Sequence, residues 1–220
     1  RIYDFEWTDD FSTARNESFS KAKGEYVLWL DADDRLLPKD RDRFLELKRA
    51  LDPDVDVYMM KYCMGYDGQN ADFSYYRERL VKRSGNFLWR EPVHEYLEAR
   101  GKIVTTDICV THAGKKGGAG DRNLKIYEKL LSGGKKLSPR GLYYYGRELR
   151  DNGRFAEAAE GFRRFLDGGG GWVEDNIAAC NALAECFKRS GQSETALSAL
   201  LRAFSYDTPR AETCYAIGVL

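Results

Sequence analysis

Long apolar runs are missing from this 220-residue chain. Its longest wholly apolar stretches are of the size of Tyr26–Leu30, far short of the ~20 residues a membrane-crossing helix needs. Net charge is missing as well. Thirty-five Lys and Arg balance thirty-five Asp and Glu, so no global field points to nucleic acid. The five cysteines, at 63, 109, 180, 186 and 214, include no C-x-x-C pair. A zinc site therefore lacks its ligand spacing, and the scattered odd count reads as reduced thiols in a cytoplasmic protein. No P-loop or kinase signature supports a phosphotransferase, and no signal-peptide pattern opens the chain. The chain starts at Arg1 without Met, inside an expected strand, which reads as a fragment of a longer protein.

What is present falls into two grammars. Ile2–Phe5 reads as a strand. Asp9 or Asp10 should cap a helix over 11–23, with Phe11, Ala14, Ser18 and Ala22 on one face and Gly24 as its stop. The short apolar run Tyr26–Leu30 reads as a buried strand. Pro38 suits the first residue of a helix to about Leu51, with Phe44, Leu47 and Leu51 inward. Strands are expected over 55–63, 75–82 and 101–111, with a turn-rich loop at Gly65–Asn70. The run from Gly114 to Gly120 is flexible, basic punctuation, and Asp121 should cap a helix closed by Gly133-Gly134. From Ser138 only helices are expected.

The most informative residues are Asp31-Ala32-Asp33, which leave the Tyr26–Leu30 strand. Open α/β sheets bind ligands at the carboxyl ends of their strands. Paired carboxylates there suit a hard cation, Mg²⁺ or Mn²⁺, that bridges to substrate phosphates. Aspartates at strand ends also form ordinary turns, and Asp34 reads as a solvated cap or turn residue.

The neighbours sharpen the reading. The stretch Trp7-Thr8-Asp9-Asp10-Phe11-Ser12-Thr13-Ala14-Arg15-Asn16, a helix, then Gly24-Glu25-Tyr26-Val27-Leu28-Trp29-Leu30-Asp31-Ala32-Asp33-Asp34 resembles the inverting family 2 glycosyltransferases of A-type fold. Trp89-Arg90-Glu91-Pro92-Val93-His94-Glu95 is similar to that family's W-x-x-x-V-H-E segment, and Thr111-His112 to its later histidine. The resemblance covers roughly the first 114 residues.

The resemblance implies a set of roles. Asp33 would ligate Mn²⁺ or Mg²⁺ directly, and Asp31 would reach the metal through water or hold the donor sugar or ribose. His112 would complete the metal site. Arg15 would meet the diphosphate of a nucleotide sugar, where a guanidinium fork fits phosphate, and Asp10 would lie on the same donor side. Glu95 would be the general base that takes the acceptor's proton, with His94 orienting it. Lys115 and Lys116 could close as a lid over the diphosphate or serve as a plain hinge. The family's opening strands, which hold the nucleotide base, would precede Arg1, so turnover by this fragment alone is not expected.

The second half carries a repeat. Leu142, Tyr145, Gly146, Leu149, Gly153, Ala158, Phe162 and Phe165 have the spacing of a tetratricopeptide repeat. Cys180, Leu183, Ala184, Phe187, Gly191, Ala196, Leu200 and Ala203 form a second copy, and Cys214, Ile217 and Gly218 open a third. Ala184 to Gly218 is the 34-residue period. Gly146 to Ala184 is longer, the surplus being the Gly168–Gly171 run.

The expected fold is therefore α/β, a partial A-type transferase with a Rossmann-like sheet over 1–114, then a linker and helix over 115–137. An all-α tetratricopeptide solenoid over 138–220 follows. The expected activity moves a sugar from a UDP- or GDP-linked donor to a protein, peptide or cell-envelope glycan, in a bacterial cytoplasm or at the inner membrane face. The alternative is a binding scaffold: repeats that capture a protein partner, attached to an inactive transferase remnant.

Overall fold

The computed structural model describes residues 1–67, 70–114 and 120–220. They form two compact units, Arg1–Gly118 and Ala119–Leu220. Lys115 and Lys116 lie outside the described residues.

The first unit begins with helix α1 (Phe11–Ser20), capped by Asp10, whose carboxylate accepts from the Thr13 N–H. Strand β1 (Tyr26–Leu28) and strand β2 (Asp34–Arg35) flank the aspartate loop. Helix α2 (Pro38–Arg49) starts on proline, which fits a first turn because its missing N–H would have had no helical partner. Phe44, Leu47 and Leu51 pack on the sheet. Strands β3 (Val57–Asp67), β4 (Asn70–Lys82) and β7 (Ile103–His112) form the body of the sheet. Strands β5 (Trp89–Arg90) and β6 (Tyr96–Leu97) make a separate antiparallel pair.

The five-stranded sheet is mixed, in the order β1-β4-β3-β7-β2. β3 and β7 run parallel and the other pairs antiparallel. Apolar side chains cover both faces: Tyr58, Met60, Leu80 and Val110 on one, Val57, Val81, Trp29 and Trp89 on the other.

Several expectations change here. Ile2–Phe5 is not a strand: residues 1–8 are irregular and Ile2 is exposed. β1 is not buried on both sides, because among the described residues it pairs only with β4 and stands at the sheet edge; its three residues are half-buried and Leu30 is exposed. The aspartates therefore leave an edge strand, not a central one. Of the loop expected at Gly65–Asn70, residues up to Asp67 belong to β3 and Asn70 opens β4, while 68 and 69 lie outside the described residues. Cys63 and Cys109 are not free thiols but a disulfide with Cα atoms 6.2 Å apart. Their 46-residue separation hides the fact that β3 and β7 lie side by side, with Lys61 opposite Cys109 and Cys63 opposite Thr111.

Among its described residues the second unit is helical: α3 (Arg122–Ser132), α4 (Pro139–Asp151), α5 (Phe155–Gly168), α6 (Val173–Arg189), α7 (Ser193–Ala203) and α8 (Ala211–Gly218). α3, expected as part of a linker, packs into this unit through Leu124. Successive helices pack on one another, and the core holds Ala158, Phe162, Phe165, Ala184, Ala196 and Leu200. A Cβ on Gly146 would come within 2.9 Å of the Phe162 ring, so α4 and α5 approach as closely as they do because position 146 has no side chain. Gly153 and Gly191 end the turns after α4 and α6 at φ +76° and +73°, conformations that favour glycine. Gly218 differs from its counterparts: it is exposed and faces open space.

Candidate active site

Two neighbouring constellations occupy the first unit. The first is built on the loop between β1 and β2. β2 pairs with β7 so that Asp34 stands opposite His112, and Ala113 N–H donates to the Asp33 carbonyl at 2.8 Å. This register gathers Asp33, Asp34 and His112, whose candidate ligand atoms all lie within 4.8 Å of one another. His112 Nδ1 is 3.8 Å from a carboxylate oxygen of each aspartate.

Asp34 is not the solvated turn residue expected. Its side chain is fully buried and paired with the equally buried Arg79, Nη1 to Oδ2, at 2.8 Å. Oδ2 also accepts from the Asp31 N–H at 3.0 Å. The other oxygen, Oδ1, is buried with no hydrogen-bond partner among the described residues. It is the oxygen that faces His112. Tyr62 Oη contacts His112 Nδ1 at 3.0 Å. Burial, reinforced by the Asp34 charge, raises the Tyr62 phenol far above its ordinary range, so it remains protonated.

These features fit a hard divalent cation. Carboxylate oxygens and one imidazole are the donor set that Mn²⁺ accepts. An orphaned buried oxygen normally requires a partner, and Asp34 Oδ1 points into the group. Gly114 leaves the space beside the cluster open: a Cβ there would come within 2.5 Å of Asp33 Oδ2 and 2.7 Å of His112 Cε1.

The second constellation centres on Arg15. Its Nε donates to Glu95 Oε1 at 2.6 Å and its Nη2 contacts Asp31 Oδ1 at 2.7 Å. The guanidinium lies 5.0 Å from the Trp29 ring centre and 4.6 Å from that of Trp89, and the two indoles meet edge to face. Asp31, expected among the metal ligands, is thus outside the Asp33–Asp34–His112 group and engaged by Arg15. Asn16 fixes the other side of the motif. Its Nδ2 donates to the Trp89 carbonyl at 3.0 Å, and the Trp89 N–H donates back to Oδ1 at 2.8 Å. The Trp89–Glu95 segment is β5 and the turn into β6. Glu91 and His94 hold φ of +73° and +54° there, and such left-handed backbone in non-glycine residues collects at functional turns.

Asp10, expected on the donor side, is committed to α1. Burial acts to raise its carboxyl, but hydrogen bonds from Ser12 and Thr13 outweigh it and hold the group below its ordinary value. A cavity of about 500 Å³ opens beside Arg15 and Trp29, and none of Asp33, Asp34, His112 or Glu95 lines it.

Sequence reasoning missed Arg79. The β3–β4 register explains its placement: Tyr58 pairs with Leu80 and Met59 with Glu78, so Arg79 is the extra residue of a β-bulge. Bulges re-aim side chains next to active sites. The available signal was an Arg-Glu-Arg step inside an otherwise apolar strand end, Arg77-Glu78-Arg79-Leu80-Val81.

Comparison with known proteins gives the family. The Glycosyl transferase family 2 profile matches residues 1–114. The chain belongs to that family. It is 24% identical over 172 residues to the SPbeta prophage-derived glycosyltransferase SunS of Bacillus subtilis, and equally to glycosyltransferase SunS of Bacillus phage SPbeta. Those matches cover 73% of this chain and 40% of each relative. A TPR repeat-containing protein of Synechococcus elongatus is 30% identical over 95 residues, 42% of this chain and 22% of that protein. The chain thus spans less than half the length of these relatives. No described helix is long and apolar enough to cross a membrane.

Proposed function

We propose that this chain is part of a metal-dependent, inverting glycosyltransferase that moves a sugar from a nucleotide sugar to a protein, peptide or cell-envelope glycan. The single observation that carries the reading is the Asp33–Asp34–His112 group lying next to the Arg15–Glu95 pair, joined to it by the contiguous Asp31. Asp33, Asp34 and His112 would hold Mn²⁺ or Mg²⁺. Such an ion supplies Lewis-acid stabilisation of the departing diphosphate.

The protein groups do the rest. Glu95 takes the proton from the acceptor as its oxygen, or another nucleophilic atom, bonds to the anomeric carbon. Arg15 fixes that carboxylate by a charge-assisted hydrogen bond and ties it to Asp31 on the donor side. Glu95 follows the left-handed His94 in the turn that joins β5 to β6. Attack from the face opposite the leaving diphosphate inverts the anomeric centre.

The helical unit is read as tetratricopeptide repeats over 138–220 that hold a protein or peptide. Support comes from the buried small residues Gly146, Ala158, Ala184 and Ala196 at equivalent positions, and from the matched left-handed glycines 153 and 191. The bacterial relatives favour a bacterial setting for the whole protein.

The test is binding of UDP- and GDP-sugars to the full-length protein by calorimetry, with Mn²⁺ and with EDTA. Metal-dependent binding that Asp33→Asn weakens is the expected result. Full-length protein that binds no nucleotide sugar, with a helical segment that still captures a protein, would establish the scaffold alternative instead.

A further inference from the structure

We infer that Arg79 is a positioning residue for the metal site: it orients the Asp34 carboxylate so that Oδ1 faces His112. The inference rests on the metal reading above and assigns a role to a residue outside every motif that suggested it.

A buried arginine needs a reason. Removing a charge from water is costly unless it is paired and hydrogen-bonded. Arg79 has no exposed surface, and burial depresses its ordinary pKa, although the Asp34 carboxylate opposes the shift. Yet it is only partly satisfied. Nη1 reaches Asp34 Oδ2 at 2.8 Å and the Trp29 carbonyl at 3.4 Å, while Nε and Nη2 have no hydrogen-bond partner among the described residues. An arginine retained only for packing or stability would be a poor choice, since an apolar side chain of similar volume would avoid these unpaired donors.

The geometry shows what the charge does. The guanidinium lies against Trp29, 3.9 Å from the ring centre, and against Tyr62, 4.5 Å away. Two aromatic faces and one bulged backbone position leave it little freedom. From there it captures one oxygen of Asp34, and the Asp31 N–H takes the same oxygen. Both donors act on Oδ2, so the carboxylate cannot rotate without breaking two bonds, and Oδ1 is left bare beside His112. Tyr62, which walls the guanidinium, also touches His112 Nδ1. Arg79 thus bonds Asp34 directly and lies against Tyr62, the residue that touches His112. Partners of this kind typically set metal affinity by about 10- to 100-fold.

The experiment measures Mn²⁺ affinity by electron paramagnetic resonance, at a temperature well below each protein's melting transition. It uses the full-length protein and its Arg79→Lys and Asp34→Asn variants. Arg79→Lys keeps the charge but loses the planar fork. It is expected to bind Mn²⁺ about 10-fold or more weakly while its circular dichroism stays native. Asp34→Asn keeps the volume and covers the case in which Arg79→Lys does not fold; it should weaken binding at least as much. A folded Arg79→Lys protein with Mn²⁺ affinity within two-fold of wild type would overturn the role of Arg79 alone. So would unchanged affinity in folded Asp34→Asn. Wild-type protein that binds no Mn²⁺, or whose binding survives Asp33→Asn, would remove the metal reading and this role with it.

Discussion

Arg15 Nε and Glu95 Oε1 are 2.6 Å apart, although 80 residues separate them in sequence. The same guanidinium reaches Asp31 at 2.7 Å, so one arginine fixes the candidate base relative to the aspartate loop. If the full-length protein turns over as proposed, Glu95→Gln should lower kcat by about 10²–10⁴-fold and leave donor affinity unchanged. Arg15→Ala should lower kcat as well and also weaken donor binding, because it releases both carboxylates. Steady-state kinetics with calorimetric donor titration separate the two. Unchanged turnover in Glu95→Gln would assign proton removal elsewhere.

Gly114 offers a test that removes no ligand. The Cβ of Gly114→Ala would collide with Asp33 Oδ2 and the His112 ring. Mn²⁺ affinity should fall at least 10-fold, in the range typical of disturbed ligand support, with little change in melting temperature. Equal affinity would mean that the cluster is not where the cation binds.

Asn16 and Trp89 exchange two hydrogen bonds that anchor the β5–β6 hairpin to α1. Asn16→Ala leaves a Trp89 N–H and C=O without these partners, which should cost about 1–3 kcal/mol in chemical denaturation. Asn16→Asp restores only the acceptor and should recover part of it.

In the helical unit Ala158 and Ala196 have no exposed surface. Enlarging either to Leu should destabilise the unit by about 1–3 kcal/mol through overpacking. Thermal melting measures this. A loss below ~0.5 kcal/mol, the scale of surface substitutions, would mean the interior is looser than its geometry.

The cysteines give a counting experiment. Cys63 and Cys109 are paired, and Cys180 and Cys186 are buried with thiols pushed up to about 11 by desolvation. At pH 8 the native, unreduced protein should label quickly at Cys214 alone, the exposed thiol. The thiolate is the reactive form, so labelling of the buried pair should quicken as pH rises toward 11. In denaturant without reductant three thiols should label, and five would show the Cys63–Cys109 bond to be absent.

Local signals carried much of this structure. Asp10 caps α1 and Ser138 caps α4 through side-chain oxygens that accept a backbone N–H, and Pro38 opens α2. The motif residues Arg15, Asp31 and Glu95 come together, as do Asp33 and His112. Pairing was the hidden part. The disulfide, the edge position of β1 and the burial of Asp34 all depend on which strands adjoin, and distant segments decide that. Arg79, Leu80 and Val81 are consecutive and all buried. No alternating pattern predicts that, because a bulge and coverage of both sheet faces act at one spot. The strand expected at Ile2–Phe5 does not form for the same reason: apolar residues there have no ladder to join among the described residues.

The bulge at Arg79 makes this corner of the sheet depend on counting as well as composition. β4 is one residue longer than its partner β3 between the Met59–Glu78 and Tyr58–Leu80 pairs. Deleting one codon there would restore a regular ladder and leave no place for the inward guanidinium, even if every motif residue survived. A graft of the Asp33–Asp34–His112 group onto another sheet would fail for the same reason unless the donor strand travelled with its surplus residue. The pairing register of β4 is thus as much a part of the site as the acids it serves.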